Sequence, residues 1–441
     1  MTLATGHVHS PNRTLADQAS HWWMSAAILT IVFVSFRPFT SSDVNEPGQQ
    51  AASGDVVNQL GFGLLGIICA YIMAYKVPKD VVRALLHPLW IILMPILALS
   101  VWNADVPASA MRAMLFSMVV VLAAATALGL LRNLSDLVST LAATSAASIA
   151  LSYLAVFAFP AQGVHDGSGF EAFHSGLWRG IYDHKNVAAY VLGSFALFGW
   201  FVSRNGRPLT GLLIAAAATA FVVQAGSKTV LVILPAAIFL AMLAQWISWR
   251  PLKVLVLILP LAVLATVTLG AVVYPPVLDQ IHYYFPGQTY TGRTDIWIFG
   301  LNSLADSPIW GYGFESFWNT PRVANMVQPI NLGWDVRGIV HGHNSWLDAA
   351  LAFGIPGTIV LGLVLVVLPL VDYCRIPNSG NSGKLAGLFI TIWVFTAMGA
   401  SLESFFFRRA DPVWFCMLIS VIGLRLTARL SNQHNRAPMG R

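Results

Sequence analysis

Apolar runs of about twenty residues follow one another along this chain, and they leave few choices of fold. Wound as an α-helix at about 1.5 Å per residue, each run matches the hydrocarbon thickness of a bilayer. Inside lipid, only a helix or a closed barrel satisfies its own backbone. Hydropathy divides the 441 residues into twelve such segments, near 22–36, 56–75, 82–102, 109–131, 136–159, 187–203, 208–224, 228–248, 252–274, 346–371, 385–402 and 412–427. Only 10% of residues are charged, where a soluble domain carries about 25%. The expectation is therefore an all-α polytopic membrane protein with about twelve transmembrane helices and a large polar loop.

The domain plan follows from the same pattern. Residues 1–21 read as a cytoplasmic tail, 22–430 as one transmembrane domain containing a large loop at 275–345, and 431–441 as a second cytoplasmic tail. No small-residue cleavage site follows the first apolar segment at signal-peptide distance, so that segment is expected to stay as an anchor. The short connections KVPKDVVR, SRNGR and SWRPLK are basic, as the positive-inside rule requires of cytoplasmic loops. This orientation sends both long connections, 160–186 and 275–345, to the outer face together with the turn around Lys228. The net charge of +6 is spread over these short connections and the tail, which argues against a nucleic-acid partner. Cys69 and Cys416 lie in apolar segments and Cys374 in a short loop, so neither a disulfide nor zinc is expected.

Within the long loop, GRTDIWIFGLNSLADSP sets Ile296, Gly300, Leu301 and Leu304 on one helical face, away from Thr294, Asp295, Asn302 and Ser303. That periodicity predicts an amphipathic helix lying along the membrane surface. Arg293 stands at its start, where the helix dipole disfavours a cation. An arginine beside free helix N–H groups suits a bound anion instead. The stretch GYGFESFW from Gly311 can anchor the loop at the interface or stack on sugar rings.

HGHNSWLDAALAFGIPG, from His341 to Gly357, joins polar residues directly to an apolar helix. A neutral imidazole can take a proton from a hydroxyl near pH 7, making His343 a candidate general base. Gly354 and Gly357 allow a helix break or close packing. Asp348 either orients a histidine or caps the helix start. His184, Lys185, Lys228, Arg293, Arg408 and Arg409 are six candidate cations on a face that the inside rule leaves poor in basic residues. Singly, each can be a side chain snorkelling to water; together they suit an anionic ligand. GSKT at 226–229 lacks the glycine that must precede the lysine of a phosphate loop. Asp348, Glu403 and Asp411 are scattered in sequence, which offers no divalent-metal site.

HKN at 184–186, SKT at 227–229, GRTDIW at 292–297, GYGF at 311–314 and HGHNSWLDAALAFGIPG, in this order, resemble the O-antigen ligase and Wzy-type polysaccharide polymerase family over roughly residues 180–375. The most specific element is His343-Asn344, nine residues, then Gly354 and Gly357. The resemblance implies a GT-C-like glycosyltransferase of the bacterial inner membrane, with its active site on the periplasmic side and neither metal nor cofactor. Its donor would be a glycan on undecaprenyl diphosphate, and its acceptor either lipid A-core or a growing glycan, with polysaccharide export machinery as a further partner. By position, His343 would deprotonate the acceptor hydroxyl, and Arg293 and Lys228 would hold the diphosphate. Family members often have arginine at the Lys228 position, and lysine lacks the bidentate fork. Lys185, His184, Arg408 and Arg409 from the outer-face cations, with His341 and Asn344 from the histidine stretch, complete the expected substrate-binding set, His341 positioning substrate or carrying a second proton. YDHKNVAAY and GYGFESFW resemble the exopolysaccharide polymerases more than the ligases. The competing reading, a transporter or flippase of lipid-linked sugars, calls for charges or broken helices near mid-bilayer, and the central stretches of the segments are nearly charge-free.

Overall fold

A computed structural model describes residues 15–39, 55–167, 174–284, 292–329, 332–333 and 335–434. Most of the two expected polar tails, and residues 285–291 of the long loop, lie outside these. All twelve apolar segments are helical. Ten helices are long and apolar enough to cross a membrane, and Lys79–Leu85 with Pro88–Trp102 make a further candidate bent by 63°. The remaining segment is the shorter apolar stretch His21–Val34. Among the described residues the only extended pairing is an isolated bridge between Val164 and Trp178. The protein is a polytopic all-α membrane protein.

Burial orders the bundle. Of the apolar window in Pro412–Ser431, 89% is buried, against 17% in Arg250–Val273, so the former is a central post and the latter a lipid-facing rim. Lys185–Arg204 and Gly380–Gly399 pack beside that post.

The bent pair is held by Arg425, which also pairs with the buried Asp372. Pro88 brings no N–H to continue the helix across the break, which frees carbonyls inside the protein. Arg425 donates from Nε to the Ala84 carbonyl at 2.9 Å and from Nη2 to the Leu86 carbonyl at 3.3 Å, while Nη1 meets Asp372 Oδ1 at 3.3 Å. A buried backbone break in lipid persists only where such partners satisfy it.

Residues 292–351 contribute a second, smaller core, built from Trp297, Phe299, Leu304, Phe317, Val323, Leu332 and Val336 against Leu347, Ala350 and Leu351. The helix Arg293–Asp306 contributes its apolar face to this core, and Ile296, Trp297, Phe299, Gly300 and Leu304 are buried. The expectation of a helix lying on the membrane surface is corrected accordingly, because the protein's own side chains cover that face. GYGFESFW also turns inward. Phe314 and Phe317 are buried, and Trp318 donates to Asp348 Oδ1 at 2.7 Å, so these rings are core rather than interfacial anchors.

The glycine motif breaks the helix that follows. Gly354 adopts φ 70° and ψ 176° within Ser345–Gly362, a region essentially restricted to glycine. The segment Pro308–Tyr312 lies against this break: Ile355 N donates to the Pro308 carbonyl at 2.8 Å and Tyr312 N to the Leu351 carbonyl at 2.6 Å. The approach is so close that a Cβ on Gly354 would stand 2.0 Å from the Ile309 carbonyl oxygen. GYGF and GIPG are therefore two halves of one backbone contact.

Candidate functional site

Helices Lys185–Arg204, Lys228–Trp246, Ser345–Arg375 and Pro412–Ser431 begin at one end of the bundle, where the loop helix Arg293–Asp306 also begins. Arg204, Arg207, Arg250, Lys253 and the connection through Lys79 lie at the other end, as the helix directions and the Arg425 contacts require.

Glu403 sits at the centre of the first end. It occupies the connection between Gly380–Gly399 and Pro412–Ser431, and its side chain is 11% exposed. Arg293 Nη2 meets Glu403 Oε1 at 2.8 Å, and Arg293 Nη1 donates to the Leu402 carbonyl at 2.8 Å. Asn186 Nδ2 donates to the same Oε1 at 2.9 Å, and His343 Nδ1 lies 3.3 Å from Oε2. Burial alone would raise the Glu403 carboxyl, but the opposing pull of Arg293 and the hydrogen bond from His343 hold it down at about 2. An ionised carboxylate only accepts. The proton of a neutral His343 is therefore on Nδ1, and Nε2 is left as the basic nitrogen.

The backbone presents His343 deliberately. His343 has φ 48°, a conformation uncommon outside glycine, and its side chain is 28% exposed. Asn344, directly after it, caps the helix by accepting from Trp346 N and Leu347 N at 3.0 and 3.1 Å. Its Nδ2 donates to the Ser401 carbonyl at 2.9 Å, tying the His343 turn to the Glu403 loop. Asn344 is 1% exposed, so the structure gives it a clamping place rather than a substrate-facing one. Asp348 does not cap. Its Oδ1 accepts from Gly342 N at 3.0 Å as well as from Trp318, fixing the turn between the two histidines.

His341 packs its ring 4.2 Å from that of His343, centroid to centroid, and its Nδ1 accepts from His343 N at 3.4 Å. Burial first, then the charges of His343 and Arg408, hold its imidazole well below the ordinary range. It is neutral and supports the turn. His184 is likewise no cation: its Nδ1 caps the next helix by accepting from Asn186 N at 3.1 Å, and burial lowers it to about 3. Arg409 is turned away to Glu315, with Nε–Oε2 at 2.9 Å. Arg408 is exposed and donates to the Ser404 carbonyl at 3.2 Å.

Three of the expected cations do converge. Lys185 is buried, with Nζ 3.4 Å from Asn186 Oδ1, and lies within electrostatic reach of Glu403, Arg293 and Lys228. Arg293 and Lys228 each open a helix whose N-cap, Gly292 or Ser227, makes no side-chain capping bond. A cation is disfavoured by the dipole there, and uncapped N–H groups ordinarily need a partner. Both anomalies resolve if an anion sits between them. Arg293, Lys185 and Lys228 against the one carboxylate of Glu403 leave a surplus of two positive charges. Among the described residues Arg293 spends two of its five N–H groups on Glu403 and Leu402, which leaves three for a ligand.

Sequence reading missed Glu403 and Asn186. Glu403 is 60 residues from His343 and 110 from Arg293, separations that no local spacing encodes. Its one sequence signal is an acid in an otherwise apolar stretch on the face already picked out by the cations.

Residues 211–362 match the family model described as O-antigen ligase. Over 120 residues the chain is 29% identical to the exopolysaccharide production protein ExoQ of Rhizobium meliloti (strain 1021). The matched stretch covers 26% of this chain and 27% of that protein. Lys228, Arg293, His341, His343 and Asn344 fall inside the matched family segment, and Glu403 lies beyond it.

Proposed function

Residues 211–362 match the O-antigen ligase family model, and we propose that the chain is a glycosyltransferase of that kind, transferring a glycan from undecaprenyl diphosphate to an acceptor hydroxyl at the periplasmic face of the inner membrane. The observation that carries this reading is the His343–Glu403–Arg293 constellation beside two uncapped, cation-led helix N-termini. In this mechanism His343 Nε2 takes the acceptor proton as the oxygen attacks the anomeric carbon. The bond from that carbon to the diphosphate oxygen breaks on the opposite face, with inversion. Negative charge then gathers on the departing lipid diphosphate, where Arg293, Lys228, Lys185 and the helix N–H groups stabilise it. Glu403 holds the imidazole in the productive tautomer and balances the imidazolium that forms.

The orientation belongs to the same proposal. Basic short connections at the far end of the bundle favour a cytoplasmic location for that end, with both tails inside and the long loop of 275–345 outside, all within one transmembrane domain. Similarity to an exopolysaccharide production protein favours polymerisation over transfer to lipid A-core. A strain lacking the protein would accumulate single lipid-linked repeats if it is a polymerase, and lipid-linked polymer if it is a ligase.

The purified full chain in detergent, given lipid-linked donor and acceptor, is expected to release undecaprenyl diphosphate. His343→Ala should abolish release while the protein remains folded, and release at the wild-type rate would remove His343 from the chemistry. Arg293→Ala should lower activity further than Arg293→Lys, because lysine keeps the charge while losing the fork; unchanged activity in Arg293→Ala would take Arg293 out of the site.

A further inference from the structure

A cavity of about 350 Å³ opens in the loop unit at the end of the Arg293–Asp306 helix remote from Glu403. Tyr312 and Phe317 lie among its apolar lining, while Asn302, Ser303 and Asp306 supply polar groups from one side of the helix, and Arg322 joins them. None of these residues takes part in the Glu403 cluster.

The chemistry of the walls selects a class of ligand. Arg322 is already committed: Nη2 meets Asp105 Oδ1 at 2.7 Å, and its guanidinium lies 5.0 Å from the Tyr312 ring centroid. The Tyr312 hydroxyl donates to the Ser303 carbonyl at 2.7 Å, which fixes that ring. The Asn302 amide and the Asp306 carboxylate are exposed and make no side-chain hydrogen bond among the described residues. With Arg322 neutralised by Asp105, Asp306 leaves the cavity with a negative charge, which repels a phosphate. An amide and a carboxylate lining one cavity with the Tyr312, Phe317 and Phe299 rings suit a neutral ring carrying hydroxyls on its edge and C–H bonds on its faces.

We infer that this cavity is a carbohydrate subsite holding a neutral sugar of the glycan chain, some way along from the bond being made. Asn302 and Asp306 are nine and thirteen residues beyond Arg293 in one helix, roughly 14–20 Å along its axis. The held sugar is thus separated from the reacting one, and the same helix that carries Arg293 at the diphosphate end sets the distance between them. The inference rests on the glycosyl-transfer reading above and adds to it a grip on chain length.

The test uses a ladder of oligosaccharides of increasing length, cut by acid hydrolysis from the surface polysaccharide of the producing strain. Binding to the full chain in detergent is followed by calorimetry. Longer members should bind wild type and His343→Ala alike, and Asn302→Ala/Asp306→Ala should bind them about tenfold more weakly, the loss of one or two hydrogen bonds. Asp306→Asn, which keeps the shape, should lose less. In transfer assays the double variant should raise KM for long acceptors with kcat and short-acceptor KM unchanged. No binding to wild type, or equal binding by wild type and the double variant, overturns the subsite. Retained transfer by His343→Ala would overturn the catalytic reading instead, and the binding result would stand apart from it.

Discussion

Replacing Glu403 by Gln changes one charge at the hub of the site and almost nothing in shape. A carboxylate 3.3 Å from His343 Nδ1 stabilises a positive charge there by about 5 kcal/mol at an effective dielectric of 20. His343 is 28% exposed, and screening by water reduces this to about 2–3 kcal/mol, equivalent to a rate factor on the order of 10². A second effect has the same sign. Gln can donate from its amide to Nδ1, which would move the histidine proton to Nε2 and block the base. Glu403→Gln should therefore lower kcat at least about 10²-fold, measured as undecaprenyl diphosphate release, with smaller changes in donor KM. Stability provides an independent reading. The Glu403 carboxyl is lowered from 4.5 to about 2 in the folded protein, so its contribution, about 3 kcal/mol, is complete above about 4.5 and is lost as pH falls toward 2. Wild type should exceed the variant in thermal stability at pH 7, and the gap should close on acidification below about 4.5. A folded Glu403→Gln protein with wild-type kcat would refute the assignment of Glu403 as the residue that orients and balances His343.

Gly354→Ala forces a Cβ to within 2.0 Å of the Ile309 carbonyl at φ 70°; the backbone conformation alone costs about 1–3 kcal/mol and the clash adds to it, so folded yield in detergent should collapse, whereas Gly362→Ala, with open space around it, should leave yield unchanged. Arg425→Leu leaves Asp372, whose side chain is 1% exposed, with only Arg375 at 3.9 Å and orphans the Ala84 and Leu86 carbonyls, and should destabilise the bundle by about 3–5 kcal/mol; adding Asp372→Leu should recover only the part due to the buried charge, seen in thermal melts. For His184 the sign runs opposite to that of a paired histidine: its folded value near 3 lies below the ordinary 6.5, so the unfolded chain binds the extra proton and stability falls as pH drops below about 6.5. Wild type should lose melting temperature between pH 7.5 and 5 relative to His184→Asn, and parallel curves would show that His184 titrates in the folded protein.

What the sequence determined by itself was everything carried by local periodicity and composition. Twelve apolar segments are twelve helical stretches because a backbone in lipid must satisfy its own hydrogen bonds within each segment. Gly354 was legible as a break because its requirement is local, and Arg293 was legible as an anomaly because a cation at a helix start opposes the dipole of its own helix, whereas Lys228 was legible only as one of six cations on the outer face. The tertiary structure decided the partners. It converted Glu403 from a scattered acid into the hub, and it made His184 a neutral cap, Asn344 a clamp and Arg409 the partner of Glu315. It also buried the apolar face of the loop helix under a second core. Apart from the local His184 cap, these outcomes depend on side chains brought together across 57 to 217 residues of chain. Charge and burial act through distance in space, which a one-dimensional pattern does not contain.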